Sequence, residues 1–275
     1  MVKGLGHLAV FAACYVAGQA VAACLLAGVG VSWRIVTVAG LTAIGTYLVD
    51  RSGPWPGAID RADVRAAPDR VRFLRRHTVL VRCIAIGAPA VAFVVALPWG
   101  PWVAIVPLSV IGLLAYSKWA LPGRRIKDRL LLKNAAVAIS ITALALALAH
   151  AGGGATVWVL GAAAPVLVLR VFADAMRCDI DDVNADQRHG TRTFANTFGV
   201  QVAWRGALVL DGCAALAALA LVPVVGWGIS IAVGSVPLIG GIALTVLQPK
   251  PSRDLVDALG AVGVLLAWGL VSVGL

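Results

Sequence analysis

Four aspartates, Asp179, Asp181, Asp182 and Asp186, stand close together in the sequence Asp-Ile-Asp-Asp-Val-Asn-Ala-Asp. On a helix of about 3.6 residues per turn, Asp179, Asp182 and Asp186 share one face, and Asp181 points to roughly the opposite face. Carboxylates three and four positions apart repel one another and need a counter-charge, and Mg²⁺ shared with substrate phosphates is a common one. The spacing therefore predicts that three carboxylates converge on a magnesium site.

The alternative interpretation of the same segment is a solvated acidic loop that nearby arginines neutralise. Arg177, Arg188 and Arg192 are close enough in sequence to do so. The composition favours the metal site, because the chain has only 13 acidic residues and concentrates four of them here.

A further carboxylate, Asp50, ends another apolar segment, and Thr46 precedes it by one helical turn on the same face. If the two segments occupy equivalent places in a repeat, Asp50 faces the first cluster across a central cavity. Tyr47 and Tyr116, near the same ends of their segments, are our candidates for lining that cavity together with Thr46. The alternative is that Asp50 only pairs with the adjacent Arg51.

Basic side chains flank both carboxylate sites. The segment 51–77 holds seven Arg against three Asp, and 118–133 holds six basic residues, including Lys133, against Asp128 alone. Guanidinium and ammonium groups suit phosphate oxygens, although most such residues in a membrane protein set topology and contact anionic lipids. The candidates for phosphate binding are Arg51, Lys118, Arg124, Arg125, Lys127, Arg188 and Arg192. The stretch 60–76 has a polar helical face and is either a cap on the cavity or an amphipathic surface helix.

The elements that must position these residues are membrane helices. Of 275 residues, 60% are hydrophobic and 13% charged, with a mean hydropathy of +0.92, whereas a soluble domain is roughly a quarter charged. Apolar stretches of about 20 residues, the length that crosses a bilayer, recur along the chain. This excludes a soluble enzyme. The predicted spans are 5–31, 35–50, 78–98, 101–117, 131–150, 155–174, 199–222, 227–247 and 255–275.

The connections between these spans alternate between short apolar turns and longer charged segments. The charged segments are 51–77, 118–130, 175–198 and 248–254. If they share one side, the positive-inside rule makes it the cytoplasm, with the N-terminus inside and the C-terminus outside. The net charge of +10 is then a loop bias rather than a nucleic-acid surface. The charged loops recur at an offset of about 130 residues, which indicates two four-helix halves plus a ninth helix.

Two smaller features concern the membrane interior. Asp211 lies within an apolar span, where an ionisable side chain is costly, and we expect it to pair with Arg205 or to be neutral. The five cysteines have no Cys-x-x-Cys spacing, so the sequence indicates neither a disulfide framework nor a zinc site.

Taken together, these residues resemble the UbiA superfamily of intramembrane prenyltransferases. The second Asp-rich motif of that family, Asn-Asp-x-x-Asp-x-x-x-Asp followed by Gly-x-x-Thr, is matched from Asp179 to Asp186 and by Gly190-Thr-Arg-Thr193, with Cys178 in place of the Asn. With the helix count, the resemblance covers essentially the whole chain. It implies a single transmembrane domain over 1–275.

The first Asp-rich motif of the family is reduced in this chain. Asp50 keeps one of its three carboxylates, Thr46 and Tyr47 replace the Asn-Asp pair, and Pro54 replaces the last Asp. The family's Tyr-x-x-x-Lys is also incomplete, since Tyr116 is followed by Ala120. Family members that cyclise their substrate have a shortened first motif. The sequence Thr42-x-x-x-Thr46-x-x-x-Asp50 is similar to that motif in its spacing, though not in its residues.

The resemblance implies a Mg²⁺-dependent enzyme of a bacterial cytoplasmic membrane, with its active site facing the cytoplasm and an isoprenyl diphosphate as substrate. Mg²⁺ would bridge the diphosphate to Asp50, Asp179, Asp182 and Asp186, the implied catalytic residues. The prenyl group would pass to a lipophilic, in one version aromatic, acceptor. Two alternatives remain open at this point: intramolecular cyclisation by a terpene cyclase, and a transporter or lipid-binding protein. Membrane lipids are expected partners, and nucleic acid is not.

Overall fold

The computed structural model describes residues 6–52, 64, 67–118, 120–121, 124–125, 129–247 and 253–272, and nearly all of them are helical. The long helices are α1 (Val10–Leu26), α2 (Trp33–Ser52), α4 (Thr78–Ala96), α5 (Ile105–Lys118), α6 (Leu132–Gly153), α7 (Val157–Asp181), α10 (Val200–Leu219), α11 (Val222–Leu247) and α12 (Arg253–Ser272). The short helices are α3 (Pro68–Arg76), α8 (Val183–His189) and α9 (Phe194–Phe198). The all-α prediction is confirmed.

Helix α11 is kinked at Gly226, which has φ +83 and ψ 166. Two of the connections between long helices also have regular structure of their own. A 3-10 segment, Leu97–Ala104, joins α4 to α5 and contains Gly100 at φ +61. A two-residue antiparallel ladder pairs β1 (Ala120–Leu121) with β2 (Arg124–Arg125). Both lie at turns between long helices, so neither interrupts the bundle.

Six segments in the described part of the chain are long and apolar enough to cross a membrane. They are Thr78–Tyr116, Leu132–Gly153, Val157–Asp181, Val200–Leu219, Val222–Val246 and Asp254–Ser272. The first of them is 39 residues long and contains both α4 and α5. The apolar helix Val10–Leu26 is shorter. By the length and composition of these helices, the chain is an integral membrane protein.

Helix α1 occupies the centre of the bundle. It packs against α2, α6, α7, α11 and α12, and 13 of its 17 residues are buried. Alanine and glycine are frequent in α1, and such small side chains let the surrounding helices approach it closely. The remaining long helices pack in sequence around it, α2 on α4 and α5, α5 on α6, α6 on α7, α7 on α10, α10 on α11 and α11 on α12.

Two helix ends differ from the predicted spans in ways that matter for the site. The predicted span 5–31 corresponds to Val10–Leu26, because Ala27 caps the helix and Gly28 adopts φ +65. The predicted span 155–174 continues to Asp181, seven residues further. The added turns carry Arg177 and Asp179, whose buried charges have ion-pair partners, so the helix can continue past its apolar part.

Candidate functional site

The acidic cluster lies at a break between two helices. Helix α7 ends at Asp181, Asp182 has φ −89 and ψ 1, and α8 begins at Val183. Asp179 is 1% exposed, whereas Asp181 is exposed to solvent. The predicted continuous helix over 179–186 is therefore interrupted at Asp182, yet Asp179 and Asp186 still meet, as the next contact demonstrates.

The ammonium group of Lys133 joins the two carboxylates. Its Nζ lies 2.7 Å from Oδ1 of Asp179 and 3.2 Å from Oδ2 of Asp186. Lys133 is the second residue of α6, and Leu131 just before the helix has φ +65, a conformation that is uncommon for a residue with a side chain. This start of α6 places the lysine over the end of α7. The sequence marked Lys133 only as one basic residue among six.

Burial dominates the electrostatics of this cluster. It raises the pKa of Asp186 to about 6, in spite of Lys133, which lowers it, and the nearby carboxylates of Asp179 and Asp182 add to the rise. Oδ2 of Asp179 and Oδ1 of Asp50 are buried and have no hydrogen-bond partner among the described residues. Unpaired buried oxygens are costly, so both are available to a cation.

The turn that follows α8 is built by its local sequence. Gly190 ends α8 in the left-handed region at φ +72, and Thr193 begins α9 by accepting a hydrogen bond from the backbone N–H of Asn196. The Asn196 side chain accepts in return from the Thr193 N–H at 2.9 Å. The helix end at Gly190 and the capping box of Thr193 explain why a glycine and a threonine stand three positions apart, without giving either residue a role in binding.

Three of the residues predicted on α2, Thr46, Tyr47 and Arg51, have the following contacts among the described residues. The Thr46 hydroxyl donates to the backbone carbonyl of Thr42 at 2.9 Å. Arg51 is buried, donates from NH1 to the carbonyl of Gly6 at 3.2 Å, and lies with its Cζ 5.5 Å from the centre of the Tyr47 ring. The prediction that Arg51 binds a diphosphate thus remains a prediction, and the observed arginine anchors the N-terminal segment.

The other predicted residues are placed as follows. Arg188 and Arg192 are exposed on either side of the turn, and Tyr116 is half-buried near the end of α5. The side chains of Lys118, Arg124 and Arg125 lie outside the described residues. Lys127 lies outside them altogether.

An ion-pair network that the sequence analysis did not predict lies deeper in the bundle. The guanidinium of Arg177 contacts the carboxylate of Asp211 on α10 and donates to Oδ1 of Asp174 at 2.9 Å. The Tyr15 hydroxyl on α1 donates to the other Asp174 oxygen at 2.8 Å. Arg170 donates to the carbonyl of Gly260 on α12 at 2.9 Å. Polar side chains thus tie α7 to three neighbouring helices.

This network corrects two expectations. Asp211 pairs with Arg177 and not with Arg205, because positions six apart on α10 lie on different faces and Arg205 is exposed. Arg177 contacts Asp174 and Asp211, and in the described part of the chain it is Lys133 that contacts Asp179 and Asp186. The sequence signal for these pairs is weak, since a polar residue in an apolar helix indicates a buried partner without identifying it.

The carboxylates of Asp179 and Asp186 fit a magnesium ion whose remaining coordination positions are filled by other ligands. Among the described residues, no three His, Cys, Asp or Glu side chains stand together as a ready-made metal site. Mg²⁺ is usually held by one or two carboxylates together with waters and substrate phosphates. Asp179, which has a buried oxygen with no hydrogen-bond partner in the described ranges, and Asp186, which also contacts Lys133, meet that requirement.

Comparison of the fold with solved structures gives clear matches over nearly the whole chain. A UbiA homologue from Aeropyrum pernix K1, solved without ligand, matches with a TM-score of 0.65 at 13% identity, over 96% of this chain and 98% of that one. A UbiA homologue from Archaeoglobus fulgidus, solved with GPP and Mg²⁺, matches with a TM-score of 0.65 at 15% identity, over 98% and 99%. A digeranylgeranylglyceryl phosphate synthase matches with a TM-score of 0.55 at 12% identity, over 99% and 97%.

No protein-family model matches the sequence, and no curated protein is significantly similar to it. At these identities the structural matches establish the fold alone. The chain has the fold of the UbiA homologues, from the first described helix to the last.

Proposed function

We propose that this chain with the UbiA fold is a member of the UbiA superfamily: a membrane-embedded, Mg²⁺-dependent enzyme that ionises an isoprenyl diphosphate and transfers the prenyl group to a lipophilic acceptor. The observation that carries the proposal is the meeting of Asp179 and Asp186 at Lys133, at the end of a buried helix, in a fold that a GPP- and Mg²⁺-bound UbiA homologue shares. The substrate class and the metal are carried over from that homologue as part of the proposal.

Each group in the site has a chemical task in this proposal. Asp179, Asp182, Asp186 and Asp50 would hold Mg²⁺, whose charge would stabilise the leaving diphosphate when its bond to the allylic carbon breaks. Arg188, Arg192 and the basic residues of 118–130 would bind the diphosphate oxygens. Thr46, Tyr47 and Tyr116 would line the cavity for the hydrocarbon, where the apolar helices keep water away from the cation.

We further propose a topology and a location. All nine long helices cross the membrane, as two four-helix halves plus α12 in one domain over 1–275. The basic segments 51–77 and 118–130 then face the cytoplasm of a bacterium, together with the active site. An acceptor and membrane lipids complete the set of partners.

One specific observation favours the cyclase alternative. Helix α2 contributes a single carboxylate, Asp50, and the Thr46 hydroxyl one turn earlier is engaged by its own helix. With Asp50 as its one carboxylate, the reduced first motif supplies fewer metal ligands than a complete first motif would. In the cyclase, the double bonds of the substrate itself attack the cation instead of an acceptor.

Product analysis tests these functions against one another. Purified protein in detergent is given Mg²⁺ and geranyl, farnesyl or geranylgeranyl diphosphate, with and without an aromatic acceptor or a membrane extract. Turnover that requires the acceptor supports prenyl transfer, and a cyclic hydrocarbon or terpene alcohol without acceptor supports the cyclase. Absence of diphosphate release, together with gradient-dependent uptake into vesicles, would instead indicate a transporter. The double variant Asp182→Ala/Asp186→Ala controls for non-enzymatic breakdown.

A further inference from the structure

Lys133 occupies an unusual position for a residue outside the predicted ligand set. Its side chain is 19% exposed, it reaches two carboxylates from the start of α6, and those carboxylates are 2% and 14% exposed. Among the described residues, this ammonium is the counter-charge in contact with both carboxylates. It is therefore part of the electrostatics of any cation site formed by Asp179 and Asp186.

One ammonium does not balance this cluster. The carboxylates of Asp179 and Asp186 carry two formal negative charges when ionised, and Lys133 contributes one positive charge. The remaining oxygen of Asp179 is buried and has no hydrogen-bond partner among the described residues. The cluster with Lys133 in place thus retains both an unpaired ligand atom and an excess negative charge, which a divalent cation would satisfy.

Binding of a divalent cation at these carboxylates changes the position of lowest energy for the lysine. Like charges repel, so a cation that takes the Asp179 and Asp186 oxygens weakens the hold of those carboxylates on the ammonium. A diphosphate brings several negative charges to the same place. The flexible four-carbon side chain of lysine allows its ammonium to turn from one anion to the next without moving the backbone of α6.

We propose that Lys133 is a tethered counter-ion that exchanges partners: it neutralises Asp179 and Asp186 before the metal binds, and it binds the diphosphate once the metal is in place. This inference rests on the proposed function and adds to it a phosphate-binding residue and its role in the metal-free protein. This role predicts opposite changes in two binding affinities, which a lysine with only a structural role would not produce. Removing the ammonium should strengthen binding of the metal alone and weaken binding of the diphosphate.

The test measures these two affinities separately in detergent-purified protein. Mn²⁺ or Mg²⁺ alone is titrated first, and inorganic pyrophosphate is then titrated at saturating Mg²⁺. We expect Lys133→Met to bind the metal alone about tenfold more tightly and pyrophosphate about tenfold more weakly, each change corresponding to about 1.4 kcal/mol. Lys133→Arg, which keeps the charge, should retain pyrophosphate binding. Arg205→Met, which removes an exposed cation from α10, should change neither affinity.

The possible outcomes separate this inference from the proposed function. Unchanged pyrophosphate affinity in Lys133→Met, or weaker metal binding in the same variant, would overturn the role of Lys133 while wild-type turnover still supported the enzyme. If Lys133→Met fails to fold, weak pyrophosphate binding by a folded Lys133→Arg would overturn it as well. A wild-type protein that binds neither Mn²⁺ nor pyrophosphate contradicts the proposed function itself.

Discussion

The hydroxyl of Tyr15 donates a hydrogen bond of 2.8 Å to Oδ2 of Asp174, joining residues that lie 159 positions apart. The bond ties the central helix α1 to α7, the helix that ends in the acidic cluster. We expect Tyr15→Phe to lower the stability of the protein by about 1 kcal/mol, because one buried acceptor loses a donor. Thermal unfolding in detergent measures the change. An unchanged midpoint would mean that this bond contributes nothing in the membrane bundle.

Arg177 should matter more than Tyr15, because it contacts two carboxylates. It is 1% exposed and pairs with both Asp174 and Asp211. Arg177→Met leaves both acids without their shared cation, and removal of one partner from a buried ion pair costs about 3–5 kcal/mol. The loss should appear in the unfolding midpoint and in the yield of folded protein.

A double variant isolates the charge from the packing. Arg177→Met combined with Asp211→Asn should recover part of the lost stability, since the substitution removes one unpaired charge. Arg205→Met on the exposed face of α10 serves as the matched control and should stay near the wild type. A double variant less stable than Arg177→Met alone would contradict the ion-pair account.

Gly241 on α11 lies directly against the Arg177–Asp211 ion pair. A Cβ at this position would overlap the Asp211 carboxylate and the Arg177 guanidinium, whereas a Cβ at Gly240 would meet nothing within 4 Å. We therefore expect Gly241→Ala to destabilise the protein by about 1–3 kcal/mol, the usual cost of overpacking. Gly240→Ala is the neighbouring control, and its higher helix propensity should leave stability equal or slightly raised. Equal changes in stability for Gly241→Ala and Gly240→Ala would contradict the close packing of α11 against the Arg177–Asp211 pair.

Asp186 lies outside the membrane-spanning helices, and its raised pKa predicts that the stability of the protein depends on pH. Burial raises this pKa to about 6, so the folded protein holds the proton more tightly than the unfolded chain does. The contribution of Asp186 to metal-free stability is therefore lost as the pH rises from about 4 to about 6. Mg²⁺ needs the ionised carboxylate, so its stabilising effect should grow over the same range.

Unfolding midpoints with and without Mg²⁺, measured from about pH 5 to about pH 7.5, test this expectation. The Mg²⁺-induced increase should be larger at the upper end and nearly complete above the pKa of Asp186. Asp186→Asn has no proton to lose and should show a smaller increase that varies less with pH. An increase of the same size in the wild type at every pH would remove Asp186 from the metal site.

The sequence could predict the helices because their signal is local. In the described part of the chain, the predicted apolar stretches overlap helices, and six helical segments are long and apolar enough to cross a membrane, as a mean hydropathy of +0.92 predicts. The spacing of seven residues between Asp179 and Asp186 predicts one shared face of a continuous helix. The structure breaks that helix at Asp182, and the two carboxylates are joined through Lys133 instead, a partner that the local sequence does not indicate.

The partners of the buried charges could not be read from the sequence. Lys133 lies 46 positions before Asp179, and Asp211 lies 34 positions after Arg177, so no local pattern joins them. Arg205 appeared to be the nearest cation for Asp211 along the chain, yet helical geometry turns the two apart. The same limit applies to Asp50, because only the packed bundle shows that one of its oxygens is buried without a hydrogen-bond partner in the described part of the chain.

The most direct test of the central claim is Mg²⁺-dependent release of diphosphate from an isoprenyl diphosphate by purified protein, compared between Asp179→Asn and Asp181→Asn. Both substitutions remove one charge from the same helix end, but Asp179 is buried beside Lys133 and Asp181 is exposed. We predict that Asp179→Asn lowers the release rate by about 100-fold or more, whereas Asp181→Asn keeps the wild-type rate. Equal rates in the two variants, or wild-type release that persists without a divalent cation, would contradict the assignment of Asp179 to a Mg²⁺-dependent active site.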